Sequence, residues 1–77
     1  MPIHVKYFAG MRDRMGRADD DLEAVGLTTV ADVWARVSGH QPLPRTVRVA
    51  VNQEYADLKR PVKDGDEIAF FPPVTGG

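Results

Sequence analysis

The sequence predicts one α+β domain, in which a single amphipathic helix packs on a mixed sheet. Three observations support this class: apolar and polar residues alternate near both ends, one central segment has helical spacing, and Gly, Pro, Asp and Asn separate these segments. At 77 residues the chain has the length of one domain, and such a domain buries only about 60% of its unfolded surface. We therefore expect a small core and no deep active-site cleft.

The first strand is predicted close to the N-terminus, where side chains alternate between two faces. The core set is Ile3, Val5 and Tyr7, and the outward set is His4, Lys6 and Phe8. Met11 and Met15 lie four residues apart before Gly16, which predicts a short helical connector. A second, edge-like strand is predicted over 22–27, and the acidic run 19–21 before it is interpreted as a solvated loop.

The main helix is predicted to begin at Thr28–Thr29, whose hydroxyls suit a helix N-terminus, with Asp32 in the first turn. Its apolar positions follow the i, i+3, i+4, i+7 spacing of one buried helical face. They are Val30, Val33, Trp34 and Val37. Gly39 and the prolines after it end this helix.

The C-terminal half predicts three more strands. Val47, Val49 and Val51 alternate with polar or small residues, and the turn at 52–53 leads to a short return strand at Tyr55. A turn at 64–66 precedes the last strand, 67–71, which should direct Ile68 and Phe70 inward and Phe71 outward. This order indicates a β-grasp (ubiquitin-like) roll over residues 1–71, with about five strands and a protruding tail over 72–77.

Composition excludes several classes of protein. Ten basic and eleven acidic residues give a net charge of -1, so we expect no nucleic-acid partner. Hydrophobic residues are 43% of the chain and charged residues 27%, which argues against disorder and against a membrane span. Cysteine is absent, and the N-terminus alternates like a strand rather than like a secretion signal. We expect a cytoplasmic protein with no membrane partner.

The chemically distinctive segment is the end of the chain. Pro72 and Pro73 lack amide donors and cannot continue a sheet interior, so Val74, Thr75, Gly76 and Gly77 should project from the domain. Six extended residues reach at most about 20 Å, and glycines admit close approach to the last carbonyl. The terminal carboxylate needs activation, for which adenylation by ATP followed by sulfur transfer would give a thiocarboxylate. A frayed terminus is the alternative interpretation.

Phe8 and Phe71 lie on the outward faces of the first and last strands, and together they predict an exposed apolar patch for a partner. The alternative is that one of them is covered by the 9–16 connector. Lys6, Arg48 and Lys59 are candidates for a polar rim. No metal site is expected, because His4 and His40 have no acidic residue at ligand spacing, and Ser38 lies in no nucleophile motif.

The run 64–77, Asp-Gly-Asp-Glu-Ile-Ala-Phe-Phe-Pro-Pro-Val-Thr-Gly-Gly, resembles the C-terminal signature of the molybdopterin synthase small-subunit family, which are sulfur carriers with the β-grasp fold. Weaker similarity extends over 5–9 and 50–53. The resemblance implies that Gly77 is adenylated by a ubiquitin-activating-like enzyme, which uses ATP, and is then thiocarboxylated by a sulfurtransferase system. It implies no bound cofactor.

The resemblance also implies a large synthase subunit as partner, commonly in a heterotetramer. The tail, with Pro72, Pro73, Val74, Thr75 and Gly76, would enter that subunit and donate sulfur to cyclic pyranopterin monophosphate. Phe8 and Phe71 match its expected interface, and the small subunit would have no catalytic side chains of its own. Three alternatives stay open: a carrier for thiazole synthesis or tRNA thiolation, a ubiquitin-like protein modifier, and an interaction domain with an inert tail.

Overall fold

The computed structural model describes residues 2–72, which form one five-stranded mixed sheet and two helices. In chain order the elements are β1 (Ile3–Tyr7), α1 (Gly10–Met15), β2 (Asp19–Leu22), α2 (Val30–Ser38), β3 (Arg48–Val51), β4 (Glu54–Ala56) and β5 (Glu67–Phe71). The strand order across the sheet is β2-β1-β5-β3-β4. The predicted β-grasp roll is confirmed.

The two terminal strands lie side by side at the centre of the sheet. β1 and β5 are parallel, with Val5 paired to Ile68 and Tyr7 to Phe70. The other three pairings are antiparallel, with β2 beside β1, β3 beside β5, and β4 outermost. Because β5 is the middle strand, the chain reaches residue 72 from the interior of the sheet rather than from an edge.

The core lies between the inner sheet face and α2. Its fully buried members include Ile3, Val5, Tyr7, Val30, Val33, Val51, Ile68 and Phe70. The rings of Trp34 and Phe70 lie 5.0 Å apart, and the indole N–H of Trp34 donates to the Gln41 carbonyl at 2.7 Å. Burying one such large apolar side chain contributes roughly 1.5 to 3 kcal/mol. The predicted inward positions of Ile68 and Phe70 are confirmed.

α2 begins and ends where its sequence predicts. The Asp32 carboxylate accepts hydrogen bonds from the backbone N–H groups of Thr28, at 2.9 Å, and Thr29, at 3.1 Å. These two amides hold the pKa of Asp32 below its usual range. At the other end Gly39 takes the left-handed conformation, and its N–H donates to the Ala35 carbonyl.

The position of the second strand differs from the prediction. The structure places β2 at Asp19–Leu22, so the expectation of a strand over 22–27 was wrong, as was the interpretation of 19–21 as a loop. Pairing with β1 sets this register, because Leu22 lies opposite Ile3 and packs against the core. The next residues with core contacts, Ala24 and Leu27, lie outside any strand.

The carboxylate of Asp20 on β2 accepts hydrogen bonds from two side chains outside that strand. The phenol of Tyr7 donates to the Asp20 carboxylate at 2.9 Å, and Arg17 donates to the same oxygen. Arg17 also donates to the carbonyls of Met15 and Val37, so it joins α1, β2 and α2. Burial raises the pKa of the Tyr7 phenol well above its usual range, and the Asp20 carboxylate raises it further.

The β3–β4 hairpin is closed by a turn with unusual backbone angles. The sequence predicted a turn at these positions, and Asn52 and Gln53 have φ values of 52° and 71°, the pattern of a type I′ turn. The Asn52 amide donates to the buried carboxylate of Asp66 at 3.0 Å, and the backbone N–H of Glu67 donates to the Asn52 side chain at 3.0 Å. The turn is therefore tied to the start of β5.

Among residues 2–72, no helix combines the length and the apolar character that crossing a membrane requires.

Candidate functional site

The end of β5 is the point where the folded domain meets its C-terminal segment. Phe71 is the last residue of the strand and lies opposite Arg48 of β3. On the other side, the backbone N–H of Phe8 donates to the Phe70 carbonyl at 3.1 Å. Pro72 follows Phe71 outside the strand and is half-buried. The end of β5 therefore lies between Phe8 and Arg48.

The predicted tail residues beyond this point lie outside the described part of the chain. They are Pro73, Val74, Thr75, Gly76 and Gly77. Their roles, and the division between a domain at 1–71 and a tail at 72–77, stay predictions.

Phe8 is exposed rather than covered by the connector. The residue is 44% exposed, although the connector forms helix α1, in which Met11 is buried. The backbone of Phe8 is held by the ladder bond to Phe70 and by accepting a hydrogen bond from the Met11 N–H at 3.0 Å. A fixed backbone with an exposed ring suits contact with a partner.

Phe71 points outward, as predicted, and packs on a residue that the sequence did not single out. Its ring centroid lies 6.0 Å from that of Tyr55 on β4, with an angle of 47° between the planes. Tyr55 is 78% exposed. We call Phe8, Tyr55 and Phe71 the aromatic patch. Its role as an interface stays a prediction.

A shallow groove of about 590 Å³ runs beside Phe71. Its lining includes Leu43, Val47, Arg48, Tyr55, Leu58 and Phe71. Leu58 is 38% exposed, so the groove presents apolar surface to solvent. Both Tyr55 and Leu58 were missed from sequence. The only signal in the sequence was the position of Tyr55, which the alternation of the β3–β4 hairpin places on the outward face of the sheet.

The outer sheet face beside the patch is built from small residues. Ala50 of β3 pairs with Ala69 of β5 on one side and with Tyr55 of β4 on the other. Two adjacent alanines leave the sheet backbone accessible to a partner surface. Lys6 and Glu67, whose charged atoms are 3.5 Å apart, mark the polar boundary of this face toward β1.

The other candidate side chains take structural positions. His4 Nδ1 contacts the Asp21 carboxylate across β1 and β2, and no group of three or more His, Cys, Asp or Glu within 2–72 has the geometry to hold a metal ion. Ser38 Oγ accepts a hydrogen bond from the Gln41 N–H at 3.1 Å, close to the end of α2. Neither arrangement brings a nucleophile beside a base.

The comparison with known families agrees with this geometry. The model of the ThiS family matches residues 5–77, which is nearly the whole chain and includes the segment beyond Phe71. The chain belongs to the ThiS family.

Two relatives of this ThiS-family chain are named molybdopterin synthase sulfur carrier subunit. The one from Haemophilus influenzae is 42% identical over 84 residues, covering 97% of this chain and 99% of the relative. The one from Escherichia coli is 37% identical over 84 residues, with the same coverage of both chains. The resemblance inferred from the C-terminal run is thereby confirmed.

Solved structures with the same fold include SAMP1 from Haloferax volcanii, with a TM-score of 0.79 and 30% identity over all of both chains. A second is a protein–protein complex of subunits 1 and 2 of the molybdopterin-converting factor from Helicobacter pylori, with a TM-score of 0.69 and 26% identity over all of both chains. This ThiS-family chain therefore shares its fold with a protein that has been observed bound to a second subunit.

Proposed function

We propose that this chain is the sulfur carrier subunit of a molybdopterin synthase, in which the carboxylate of Gly77 is adenylated, converted to a thiocarboxylate, and donates sulfur to cyclic pyranopterin monophosphate. The proposal is supported by the relatives of that name, which match this chain over almost its whole length. The folded domain contacts the partner proteins, and Gly77 is the reacting residue.

The observation that carries the proposal is the position of Phe71 and Pro72. The central strand β5 ends at Phe71, whose ring packs on the exposed Tyr55, while the backbone N–H of the exposed residue Phe8 bonds the Phe70 carbonyl. A partner that contacts the aromatic patch is therefore positioned to receive the residues after Pro72. The stretch 73–77 extends at most about 17 Å, which is enough to enter a pocket while the domain stays outside.

The chemistry requires activation from outside this chain. A terminal carboxylate has an ordinary pKa of about 3.5, so at neutral pH it is an anion and a poor electrophile. Attack of its oxygen on the α-phosphorus of ATP expels pyrophosphate and gives an acyl adenylate. Hydrosulfide, or an equivalent donor, then attacks the acyl carbon, releasing AMP and a proton and leaving the thiocarboxylate.

In the last step the thiocarboxylate sulfur attacks a carbon of the pterin precursor and forms a C–S bond as a C–O bond of that carbon breaks, with the oxygen leaving as water or staying on the phosphate. Water then cleaves the acyl–sulfur bond, which regenerates the Gly77 carboxylate and leaves sulfur on the pterin. Two such transfers build the dithiolene. The side chains that move protons in these steps belong to partners, and this chain supplies the substrate group.

Three partners follow from this chemistry. A ubiquitin-activating-like adenylyltransferase consumes ATP, a sulfurtransferase supplies sulfur, and a large synthase subunit receives the tail, in a heterotetramer of two small and two large subunits. The Helicobacter pylori complex supports the large subunit as a partner. We propose that the protein acts in the cytoplasm, with no cofactor bound to the chain itself.

Intact-mass measurement tests this proposal. After incubation with the adenylyltransferase, ATP and a sulfur donor, the chain should gain about 16 mass units, because sulfur replaces oxygen. A chain lacking Gly77 is the matched control and should not change. An unchanged mass for the full chain would contradict the proposal.

A protein modifier is the second candidate, because the fold is also that of SAMP1, a small archaeal modifier protein. The same activation would then end in an isopeptide bond between Gly77 and a lysine of another protein. Denaturing gels of cell extracts, probed for this chain, separate the two functions. Bands of higher mass that disappear when Gly76–Gly77 is deleted would favour the modifier.

A further inference from the structure

Four exposed arginines lie on the elements that meet the end of the sheet at which β5 stops. They are Arg12 and Arg14 on α1, Arg45 in the turn before β3, and Arg48 at the start of β3. α1 begins two residues after Phe8 and packs against β1 and β5, and Arg48 is paired in register with Phe71. We call these four residues the arginine collar.

The collar has no structural use within the described residues. None of its four side chains forms an ion pair or donates a hydrogen bond within 2–72. Arg17, in the same region, shows the opposite behaviour, because it binds Asp20 and two backbone carbonyls. Contacts among residues 2–72 therefore account for Arg17 but give the collar charges no partner.

The charge of the collar is local. The whole chain has a net charge of -1, while the opposite end of the sheet, where β5 begins, carries Asp64, Asp66 and Glu67. At the collar's own end, Asp13 on α1, Asp19 and Asp20 at the start of β2, and Asp57 after β4 offset part of this charge. With Arg17, five arginines there face these four carboxylates, so the end of the sheet at which β5 stops is the more positive end of the molecule.

We propose that the arginine collar recognises an acidic rim around the tail-binding pocket of the large subunit and steers the tail toward it; this inference rests on the proposed function. Attraction between opposite charges acts over about 10 Å at 0.1 M salt, beyond the reach of the apolar contacts of the aromatic patch. Such steering raises association rates by roughly 10- to 1,000-fold and leaves dissociation rates almost unchanged.

The arginine collar is better suited to binding an acidic surface of a folded protein than to binding a nucleic acid. Non-specific binding of nucleic acid depends on neutralising many phosphates with a continuous basic surface. The collar is confined to one end of a molecule whose net charge is -1. The aromatic patch and the alanine-lined sheet face beside it also suit a folded partner.

Stopped-flow association with the purified large subunit tests the inference. The chain has no cysteine, so one cysteine introduced at Val25, which is 83% exposed, takes a fluorescent label for anisotropy. The collar variant Arg12→Gln/Arg45→Gln is compared with Arg60→Gln/Lys63→Gln. The control pair removes the same charge from the loop between β4 and β5, beside Asp66 and away from the end of β5.

At about 20 mM salt the collar variant should associate roughly three- to tenfold more slowly than the unsubstituted chain, with a dissociation rate within about twofold, and this difference should disappear near 0.5 M salt. The control pair should stay within about twofold throughout. Equal slowing by both pairs, or no slowing by the collar pair, would overturn the inference.

Two further outcomes have distinct meanings. If the unsubstituted chain does not bind the large subunit at any salt concentration, the proposed function fails and the inference fails with it. If a 20-nucleotide RNA, used as probe, binds the chain at about 150 mM salt and the collar substitutions abolish that binding, the collar belongs to nucleic-acid recognition and the inference is wrong.

Discussion

The rings of Tyr55 and Phe71 lie 6.0 Å apart on the outer face of the sheet, although the two residues belong to non-adjacent strands, β4 and β5. Ala50 lies between their strands and is too small to separate them. The contact links the last residue of the central strand to an exposed ring near the sheet edge. The ring of Tyr55 therefore lies beside the end of β5.

The first prediction concerns the ring of Tyr55. Replacing Tyr55 with Ala should weaken binding to the large subunit about tenfold, because aromatic anchors dominate the energetics of interfaces. Isothermal titration calorimetry measures the change in Kd. Val25→Ala, which removes an equally exposed apolar side chain elsewhere, is the control and should leave Kd unchanged. Equal effects of the two substitutions would show that the aromatic patch is not the interface.

The second prediction concerns alkaline stability. The pKa of the Tyr7 phenol is raised in the folded state by burial and by Asp20, so above about pH 10 the unfolded chain loses a proton that the folded chain keeps. The free energy of unfolding should therefore fall as pH rises above about 10, by at most about 1.4 kcal/mol per pH unit from this group. Below that pH the contribution of Tyr7 is fully present.

Urea unfolding between pH 8 and pH 11 measures this effect. Tyr7→Phe should lower stability at neutral pH by about 1 kcal/mol, through loss of the hydrogen bond to Asp20, and should flatten the alkaline decline. Tyr55→Phe, in an exposed tyrosine, is the control and should keep the decline. A decline as steep in Tyr7→Phe as in the unsubstituted chain would refute this assignment.

The third prediction separates backbone strain from hydrogen bonding in the β3–β4 turn. Asn52→Gly tolerates the φ of 52° but removes the side chain that bonds Asp66 and the Glu67 N–H, so it should cost about 1 to 3 kcal/mol. Gln53 has a backbone φ of 71°, and its side chain forms no hydrogen bond within residues 2–72. Gln53→Gly should therefore be neutral or stabilising. Thermal unfolding compares the two, and similar Tm values for both variants would contradict this explanation.

The fourth prediction concerns the chain end. Adding two residues after Gly77 should abolish thiocarboxylate formation while leaving Tm unchanged, because the reacting carboxylate moves but the core does not. Adding two residues before Met1 is the matched control, and that chain should still be converted. Sulfur transfer by the C-terminally extended chain without trimming would disprove the assignment of Gly77.

Local patterns in the sequence predicted most of the fold. α2 was predictable because Val30, Val33 and Trp34 share one helical face and Gly39 ends it. β5 was predictable because Ile68 and Phe70 alternate with less buried residues. In both elements the same residues satisfy local geometry and the core.

The errors arose where long-range pairing overrides local preference. Three consecutive aspartates are poor strand formers, yet β2 contains them because Leu22 and Asp20 are held by Ile3 and Tyr7 of β1. The groove beside Phe71 was missed for the same reason. It depends on the order of β3, β4 and β5 across the sheet, which no local pattern in the sequence specifies.

The central claim is that this chain delivers sulfur from Gly77, and single-turnover reconstitution tests it most directly. Thiocarboxylated chain, the large subunit and cyclic pyranopterin monophosphate are mixed without ATP, and intact mass is followed together with the pterin product. We predict that the chain loses about 16 mass units and that two chains are consumed for each molybdopterin formed. A thiocarboxylate that persists while no dithiolene appears, in the presence of a large subunit shown to bind the chain, would contradict the account.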